Sequence, residues 1–320
     1  MHNVFIAGLG QVALGYDLNI AIDGPILTHA RAFSVHSAFS LIGGYDPSVE
    51  QCRQYTEHYE GEAGDNLITL LKETQPDVVV IASPTQHHGS VLGTVLDHAS
   101  PQIILCEKPL SFDLNEARAM VGQCHEHGIL MYVNYLRRAE PGVREVKRRI
   151  IAGEIAAPMK GVAWYTKGLL HNGSHFVNLL EYWLGPISSF KIINAGRTML
   201  AHDVEPDVEI SFAKGSVMFL AAREEDYSLH EIDLVAPNGR LRYARGGGLI
   251  TWQKTVRDEM VPDYKVLSLT DEEIESQSGM AQWHVVNQLA TCLEGESVEL
   301  CSGAQALESL EAVLNIKAAI

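Results

Sequence analysis

Basic residues are scarce in this chain. Lysine and arginine total 24 against 40 aspartates and glutamates, a formal net charge of −16 over 320 residues. That balance argues against nucleic acid or an anionic membrane surface as a partner, because both need a basic face. It leaves small substrates open, since a cleft can be locally basic inside an acidic protein. Long apolar runs are also missing, and none approaches the length of a membrane span. The opening His2-Asn3-Val4-Phe5-Ile6-Ala7 shows no basic leader or cleavage site and reads as a strand. The five cysteines, Cys52, Cys106, Cys124, Cys292 and Cys301, are odd in number and widely spaced, with no C-x-x-C pair. They read as reduced thiols rather than disulfide or zinc ligands, so no metal is expected and the expected compartment is the cytoplasm. No internal repeat or low-complexity linker divides the chain.

Two domains are expected from the length, and the 46 % hydrophobic content is that of a globular protein. The first part alternates strand and helix. Strands are predicted at 4–7, 40–45, 77–82, 102–106 and 130–133, with helices at 48–59, 66–74, 90–98 and 113–127. The run Asp77-Val78-Val79-Val80-Ile81-Ala82 has no polar alternation, as in a parallel strand covered on both faces. The rhythm implies an N-terminal Rossmann-type, doubly wound parallel sheet over residues 1–134. The pattern then changes. A helix at 140–152, a strand at 161–167 and a helix at 173–184 precede alternating strands from 187 to about 255, and helices follow at 280–293 and 304–320. Residues 135–320 therefore read as a C-terminal α/β domain with a large, mainly antiparallel open sheet. A cleft between the domains is the expected binding site.

Gly8-Leu9-Gly10-Gln11-Val12-Ala13 fits G-x-G-x-x-A directly after the first strand. The first glycine permits a tight turn, the second lets the backbone approach a pyrophosphate, and the small Ala13 allows close helix packing. A helix N-terminus would then offer N–H groups to phosphate. Asp46, at the end of the second strand, is the expected acceptor for the adenosine ribose. It favours NAD over NADP, because a carboxylate repels a 2′-phosphate. It lies farther along than the usual ~20 residues, which marks residues 16–39 as an insertion in or after the first helix.

Cys106-Glu107-Lys108-Pro109-Leu110 ends an apolar strand in Glu-Lys-Pro. With the glycine loop, Ala82-Ser83-Pro84-Thr85, His87-His88, Val133-Asn134-Tyr135, Arg137-Arg138, Gly153-Glu154-Ile155 and the segment carrying His175, it resembles the Gfo/Idh/MocA family over nearly the whole chain. That family is named for glucose-fructose oxidoreductase, inositol dehydrogenase and MocA. The resemblance implies a Rossmann domain and an α/β domain whose open sheet builds homodimers or homotetramers. It implies that Gly8, Leu9, Gly10, Gln11, Val12, Asp46, Ser83, Pro84, Thr85, His88, Glu107, Lys108 and Asn134 bind NAD. It further implies that Lys108 is catalytic, beside the nicotinamide and the reacting carbon–oxygen bond. An ammonium there can stabilise developing alkoxide charge. Pro109 restricts Lys108 to extended backbone at the sheet edge where such folds bind ligands. Glu107 is read as orienting Lys108 or the cofactor.

The second cluster is Lys167-Gly168-Leu169-Leu170-His171-Asn172-Gly173-Ser174-His175. The family usually carries Asp-x-x-x-His here. His175 matches the catalytic histidine, while His171 stands in the aspartate place and Asn178 where many relatives have another aspartate. Four-residue spacing puts 171 and 175 on one helical face. The exchange is compatible with a different substrate, a different proton relay or lost catalysis. It is also a zinc-ligand spacing, ranked below hydrogen bonding for want of further ligands. His171, Asn172, Lys167, Tyr135, Tyr165 and Arg137 are the candidate substrate contacts. His29 and His36 are read as structural. The reading is an NAD(H)-dependent dehydrogenase or reductase acting on a secondary alcohol or ketone of a sugar, cyclitol or sugar derivative. The alternatives are a non-catalytic nucleotide and sugar sensor, and a reductase for a non-sugar carbonyl.

Overall fold

The computed structural model describes residues 1–21, 23–199 and 203–320; residue 22, in the predicted insertion, and residues 200–202, in the predicted strand run, lie outside the described residues. The chain packs as two units. The first comprises Met1–Ala139 and Gly279–Glu308, the second Glu140–Ser278 and Ser309–Ile320.

In the first unit the strands are β1 (His2–Ala7), β2 (Phe39–Tyr45), β3 (Glu62–Gly64), β4 (Val78–Ile81), β5 (Ile103–Cys106) and β6 (Leu130–Val133). They form one parallel sheet in the order β3-β2-β1-β4-β5-β6. The helices are α1 (His29–Ser34), α2 (Val49–His58), α3 (Leu67–Thr74), α4 (His88–His98) and α5 (Leu114–Glu126). Val4 to Ala7 and Val78 to Ile81 are fully buried, which is why these strands carry no polar alternation. Asn66 and Asp113 cap α3 and α5, accepting from the N–H of Thr69 and Glu116.

The second unit holds α6 (Pro141–Ile151), β7 (Met159–Tyr165), α7 (Ser174–Leu184), β8 (Ile187–Met199), β9 (Asp203–Phe212), β10 (Gly215–Ala221), β11 (Glu231–Ala236), β12 (Gly239–Ala244), β13 (Leu249–Arg257), β14 (Lys265–Leu267) and β15 (Glu272–Ile274). Its nine-stranded sheet runs β14-β13-β12-β11-β7-β10-β9-β8, with β15 on β13. The pairs are antiparallel except β7 with β10. α7 is buried almost all round, with Phe176, Val177, Leu179, Leu180 and Trp183 at zero exposure.

Two expectations change. The boundary falls after Ala139 rather than at 134, and the chain returns to the first unit for α8 (Ala281–Leu293) and the start of α9 (Gly303–Ala318). Val285, Val286 and Leu289 on α8 belong to the same core as Val4, Ile6 and Leu105. An amphipathic helix does not announce in sequence which core takes its apolar stripe.

The second change is the helix expected straight after the glycine loop. Residues 10–16 make one turn only, with Leu14 N–H on the Gly10 carbonyl at 2.9 Å and Tyr16 N–H on that of Gln11 at 3.0 Å. The chain then leaves on an excursion and re-enters at α1, where His29 and Ala30 donate to the carbonyls of Val12 (3.2 Å) and Ala13 (2.9 Å). The crossover helix is thus interrupted rather than extended. Buried Asp17 holds the excursion closed, accepting from the N–H groups of Leu27 (2.8 Å) and Thr28 (3.0 Å) and the Thr28 hydroxyl (2.6 Å).

Candidate active site

The parallel ladder sets the first unit's site residues in one row at the carboxyl ends of its strands. Gly8 donates to the Tyr45 carbonyl (2.7 Å), Ala82 to Ala7 (2.8 Å), Glu107 to Ile81 (2.9 Å) and Asn134 to Cys106 (2.8 Å). Asp46, Gly8, Ser83, Lys108 and Asn134 therefore stand on successive strand ends, spaced by roughly 4.8 Å per strand. The order reverses between β1 and β4, the switch point where open α/β sheets bind ligands.

Gly8 has φ of +100°, and a Cβ there would lie 2.4 Å from the Ser83 nitrogen, so only glycine lets the ends of β1 and β4 meet. Gly10 and Gln11 are exposed, and a Cβ on Gly10 would meet nothing within 4 Å. Leu9 turns inward and is fully buried. Its N–H donates to Asp46 Oδ2 at 2.9 Å, while Oδ1 accepts from Ser48 N–H at 2.9 Å. Each oxygen keeps acceptor capacity. Beside Asp46 lies an open pocket of about 310 Å³, lined by Tyr45, Asp65, Asn66, Leu67, Ser90 and Val91 among others. Sequence reading missed these residues; Asp65-Asn66 reads only as a helix cap.

A dinucleotide fits this row. The tight Gly8 turn, the clear backbone at Gly10 and the carboxylate of Asp46 meet at the ends of β1 and β2, and Tyr45, beside Asp46, lines the adjoining pocket. Ser83 Oγ and Asn134 Oδ1 are buried polar atoms with no hydrogen-bond partner among the described residues, as expected where a polar ligand completes them. Thr85, after Pro84, opens a short 3-10 turn. His88 differs from expectation. It is buried, with Nδ1 3.1 Å from the Leu110 carbonyl and Nε2 2.9 Å from that of Ser83. Burial holds its pKa down despite those carbonyls. It braces the loop instead of presenting a group to a ligand.

Lys108 is half-buried at the end of β5. Its neighbour Glu107 lies in a closed ring of hydrogen bonds. Glu107 Oε1 accepts from His29 Nε2 and from Asn134 Nδ2, each at 2.7 Å. Asn134 Nδ2 also donates to Gln282 Oε1 (2.9 Å), and Gln282 Nε2 donates to His29 Nδ1 (3.0 Å). Burial pushes the Glu107 carboxyl up, but the hydrogen bonds from His29 and the Asn134 amide, with the Lys108 ammonium, outweigh it, and the net shift is downward. Glu107 is therefore an anion beside the lysine. Tyr135 is buried and Arg137 half-buried in the segment after β6.

In the second unit α7 stands where a helix is expected from 173, and the residues before it, Gly168–Gly173, form a π-helical turn. Such turns recur at functional sites. Lys167 starts it in the left-handed region, φ +65°. Asp203 holds it, accepting from the N–H groups of Leu170 (2.9 Å) and His171 (2.8 Å). Gly168 leaves the room, since a Cβ there would lie 2.0 Å from Asp203 Oδ2. Burial raises the Asp203 pKa against these donors. Position 171 thus lacks its own carboxylate but has one on its backbone, from β9. No spacing in the sequence pointed to it.

His171 is exposed and His175 buried on this turn and helix. Asn172 Nδ2 donates to His230 Nε2 at 2.9 Å, and Glu224 accepts from the Thr166 hydroxyl at 2.6 Å. His230 and Glu224 are further polar groups that sequence reading did not single out. Tyr165 overturns its assignment as a substrate contact. Its ring is fully buried against Phe219, and its hydroxyl donates to the Pro206 carbonyl at 2.7 Å. Asn178 likewise turns to α9, donating to Ser309 Oγ at 3.0 Å. Among the described residues no three His, Cys, Asp or Glu side chains are grouped to hold a metal, no two cysteines are joined in a disulfide, and no helix is long and apolar enough to cross a membrane.

Comparison with known proteins agrees with this geometry. Residues 22–135 match the Gfo/Idh/MocA profile, described as an oxidoreductase family with an NAD-binding Rossmann fold. The chain is 34 % identical over 90 residues to scyllo-inositol 2-dehydrogenase (NAD(+)) of Bacillus subtilis, covering 28 % of this chain and 26 % of that protein. It is 30 % identical over 164 residues to inositol 2-dehydrogenase of Mycolicibacterium smegmatis, covering 50 % and 43 %. The matched segments thus span less than half of either relative. The structure of UDP-N-acetylglucosamine 3-dehydrogenase GnnA from Acidithiobacillus ferrooxidans superposes with a TM-score of 0.77 at 15 % identity, covering 100 % of this chain and 97 % of that one, which establishes the shared fold. Residues 22–135 thus resemble the Gfo/Idh/MocA oxidoreductase family.

Proposed function

We propose that this protein is an NAD(H)-dependent dehydrogenase acting on a secondary alcohol of a sugar, cyclitol or sugar derivative, or catalysing the reverse reduction. The observation that supports it most is the row of strand ends, in which a lysine with an anionic neighbour stands between the unsatisfied polar atoms of Ser83 and Asn134, on the same edge as the glycine loop and Asp46. Relatives named as inositol dehydrogenases point to the same substrate class.

A bound NAD would supply the acceptor for the hydride of the carbinol carbon. Lys108 donates a hydrogen bond to the substrate oxygen and stabilises the alkoxide character that grows as the hydride leaves. His175 accepts the hydroxyl proton in oxidation and returns it in reduction. Asp46 holds the adenosine ribose, and the Gly8–Val12 backbone holds the pyrophosphate. Ser83, Thr85 and Asn134 supply polar contacts along the same edge. Lys167, His171, Asn172, Tyr135 and Arg137 hold neighbouring hydroxyls of the substrate. The acidic composition and the cysteines without disulfides fit a cytoplasmic protein, and the long sheet of the second unit fits assembly into homodimers or homotetramers.

The test is to mix the protein with NAD+ and a panel of cyclitols, aldoses and nucleotide sugars and follow reduced nicotinamide by absorbance. Turnover of at least one polyol, lost in Lys108→Ala, supports the assignment. Tight NADH binding without turnover across the panel would favour the sensor reading, which rests on His171 in the aspartate place.

A further inference from the structure

We propose that His29, at the first position of α1, is a positioning residue for Lys108, acting through the closed ring His29–Glu107–Asn134–Gln282 to hold a fixed anion at the foot of the lysine. The consequence for catalysis rests on the redox assignment above; the ring itself does not.

Every bond in the ring has a determined direction. Asn134 has two amide hydrogens, and both are placed, on Glu107 Oε1 and Gln282 Oε1. Gln282 then has only its NH₂ left for His29, so His29 Nδ1 must accept and Nε2 must carry the hydrogen given to Glu107. Glu107 Oε1 receives two N–H groups, the arrangement that favours an ionised carboxylate. His29 is fully buried, Asn134 and Gln282 are 2 % exposed and the Glu107 side chain 12 %, so these bonds compete with little solvent. The second oxygen, Oε2, lies 3.3 Å from the Lys108 backbone nitrogen. The other titratable groups that face Glu107 are the Lys108 ammonium, His88 from α4 and the Cys106 thiol.

α1 starts after its cap Thr28, whose hydroxyl accepts from the Arg31 N–H, and its first turn also leans on the glycine loop. The N–H groups of His29 and Ala30 rest on the carbonyls of Val12 and Ala13 in the glycine-loop turn. One residue therefore ties the backbone that ends the glycine loop to the carboxylate beside Lys108.

The experiment uses the full-length, cofactor-free protein with ¹³C-labelled glutamate, the Glu107 carboxyl signal being assigned by its loss in Glu107→Gln. In the wild type this carboxyl titrates below its ordinary 4.5. His29→Leu removes the donor and should raise the midpoint by about a unit or more, whereas His29→Gln, which keeps an N–H near Nε2, should restore most of the difference. If His29→Leu does not fold, Asn134→Ala removes the other donor and should move the midpoint the same way. A midpoint that stays at the wild-type value in either donor-deleted variant overturns the proposal. With a turned-over substrate, His29→Leu should lower kcat at least tenfold with KM within about twofold, and His29→Gln should recover it. A rise in KM with kcat intact would overturn the link to Lys108. Failure of the wild type to turn over any substrate, with the Glu107 shift intact, would instead count against the redox assignment.

Discussion

The N–H of Leu9 donates to Asp46 Oδ2 at 2.9 Å, which ties the middle of the glycine loop to the end of β2. The carboxylate that reads the ribose in our assignment is thus also a strut of the phosphate loop. Asp46→Asn should weaken NADH binding by roughly 5–10-fold, from a weaker hydrogen bond at each contact. It should also narrow the preference for NADH over NADPH. Nicotinamide fluorescence titrations with both cofactors measure this; an unchanged ratio would place the ribose elsewhere.

Gly8 combines a left-handed φ of +100° with a Cβ position 2.4 Å from backbone. Gly8→Ala should therefore cost more than the ~1–2 kcal/mol of the left-handed conformation alone. Urea unfolding checks it, and a loss within ~0.5 kcal/mol would show that the turn relaxes freely.

Much of this site was legible because a parallel sheet does the alignment. Gly8, Asp46, Ser83, Lys108 and Asn134 each follow an apolar run, and in-register strands must bring such residues to one edge. What stayed hidden depends on contacts across the chain. His29 meets Glu107 at a separation of 78 residues and Gln282 at 253. The one sequence signal was a glutamine on the apolar stripe shared by Val285, Val286 and Leu289. Asp203 was hidden because a carboxylate that holds the backbone of another segment leaves no spacing pattern. Tyr165 misled because an aromatic at a strand end looks the same whether its hydroxyl faces a ligand or, as here, a carbonyl.

Tyr165→Phe follows from that correction. It removes one buried hydroxyl bond and should cost about 1 kcal/mol of stability. Cofactor affinity and substrate KM should stay within twofold. A large rise in KM would return Tyr165 to the substrate contacts.

Acid should act on the fold through Glu107. A carboxyl held below its ordinary 4.5 binds its proton less readily folded than unfolded, so the stability it contributes is present above that value and is lost as pH falls through the folded one. Glu107→Gln should therefore flatten the decline in thermal midpoint below about pH 4.5. An equal decline in both proteins would remove Glu107 from the acid response.

The central claim is that Lys108 and His175 serve one hydride transfer. The most direct measurement uses a polyol from the active part of the panel, deuterated at the carbinol carbon, with NAD+ in single turnover, reading deuterium in the reduced nicotinamide by mass spectrometry. We expect transfer of the label by the wild type and a loss of at least a thousandfold in rate, ~4 kcal/mol, in both Lys108→Ala and His175→Ala. Undiminished label transfer in either variant would contradict the account.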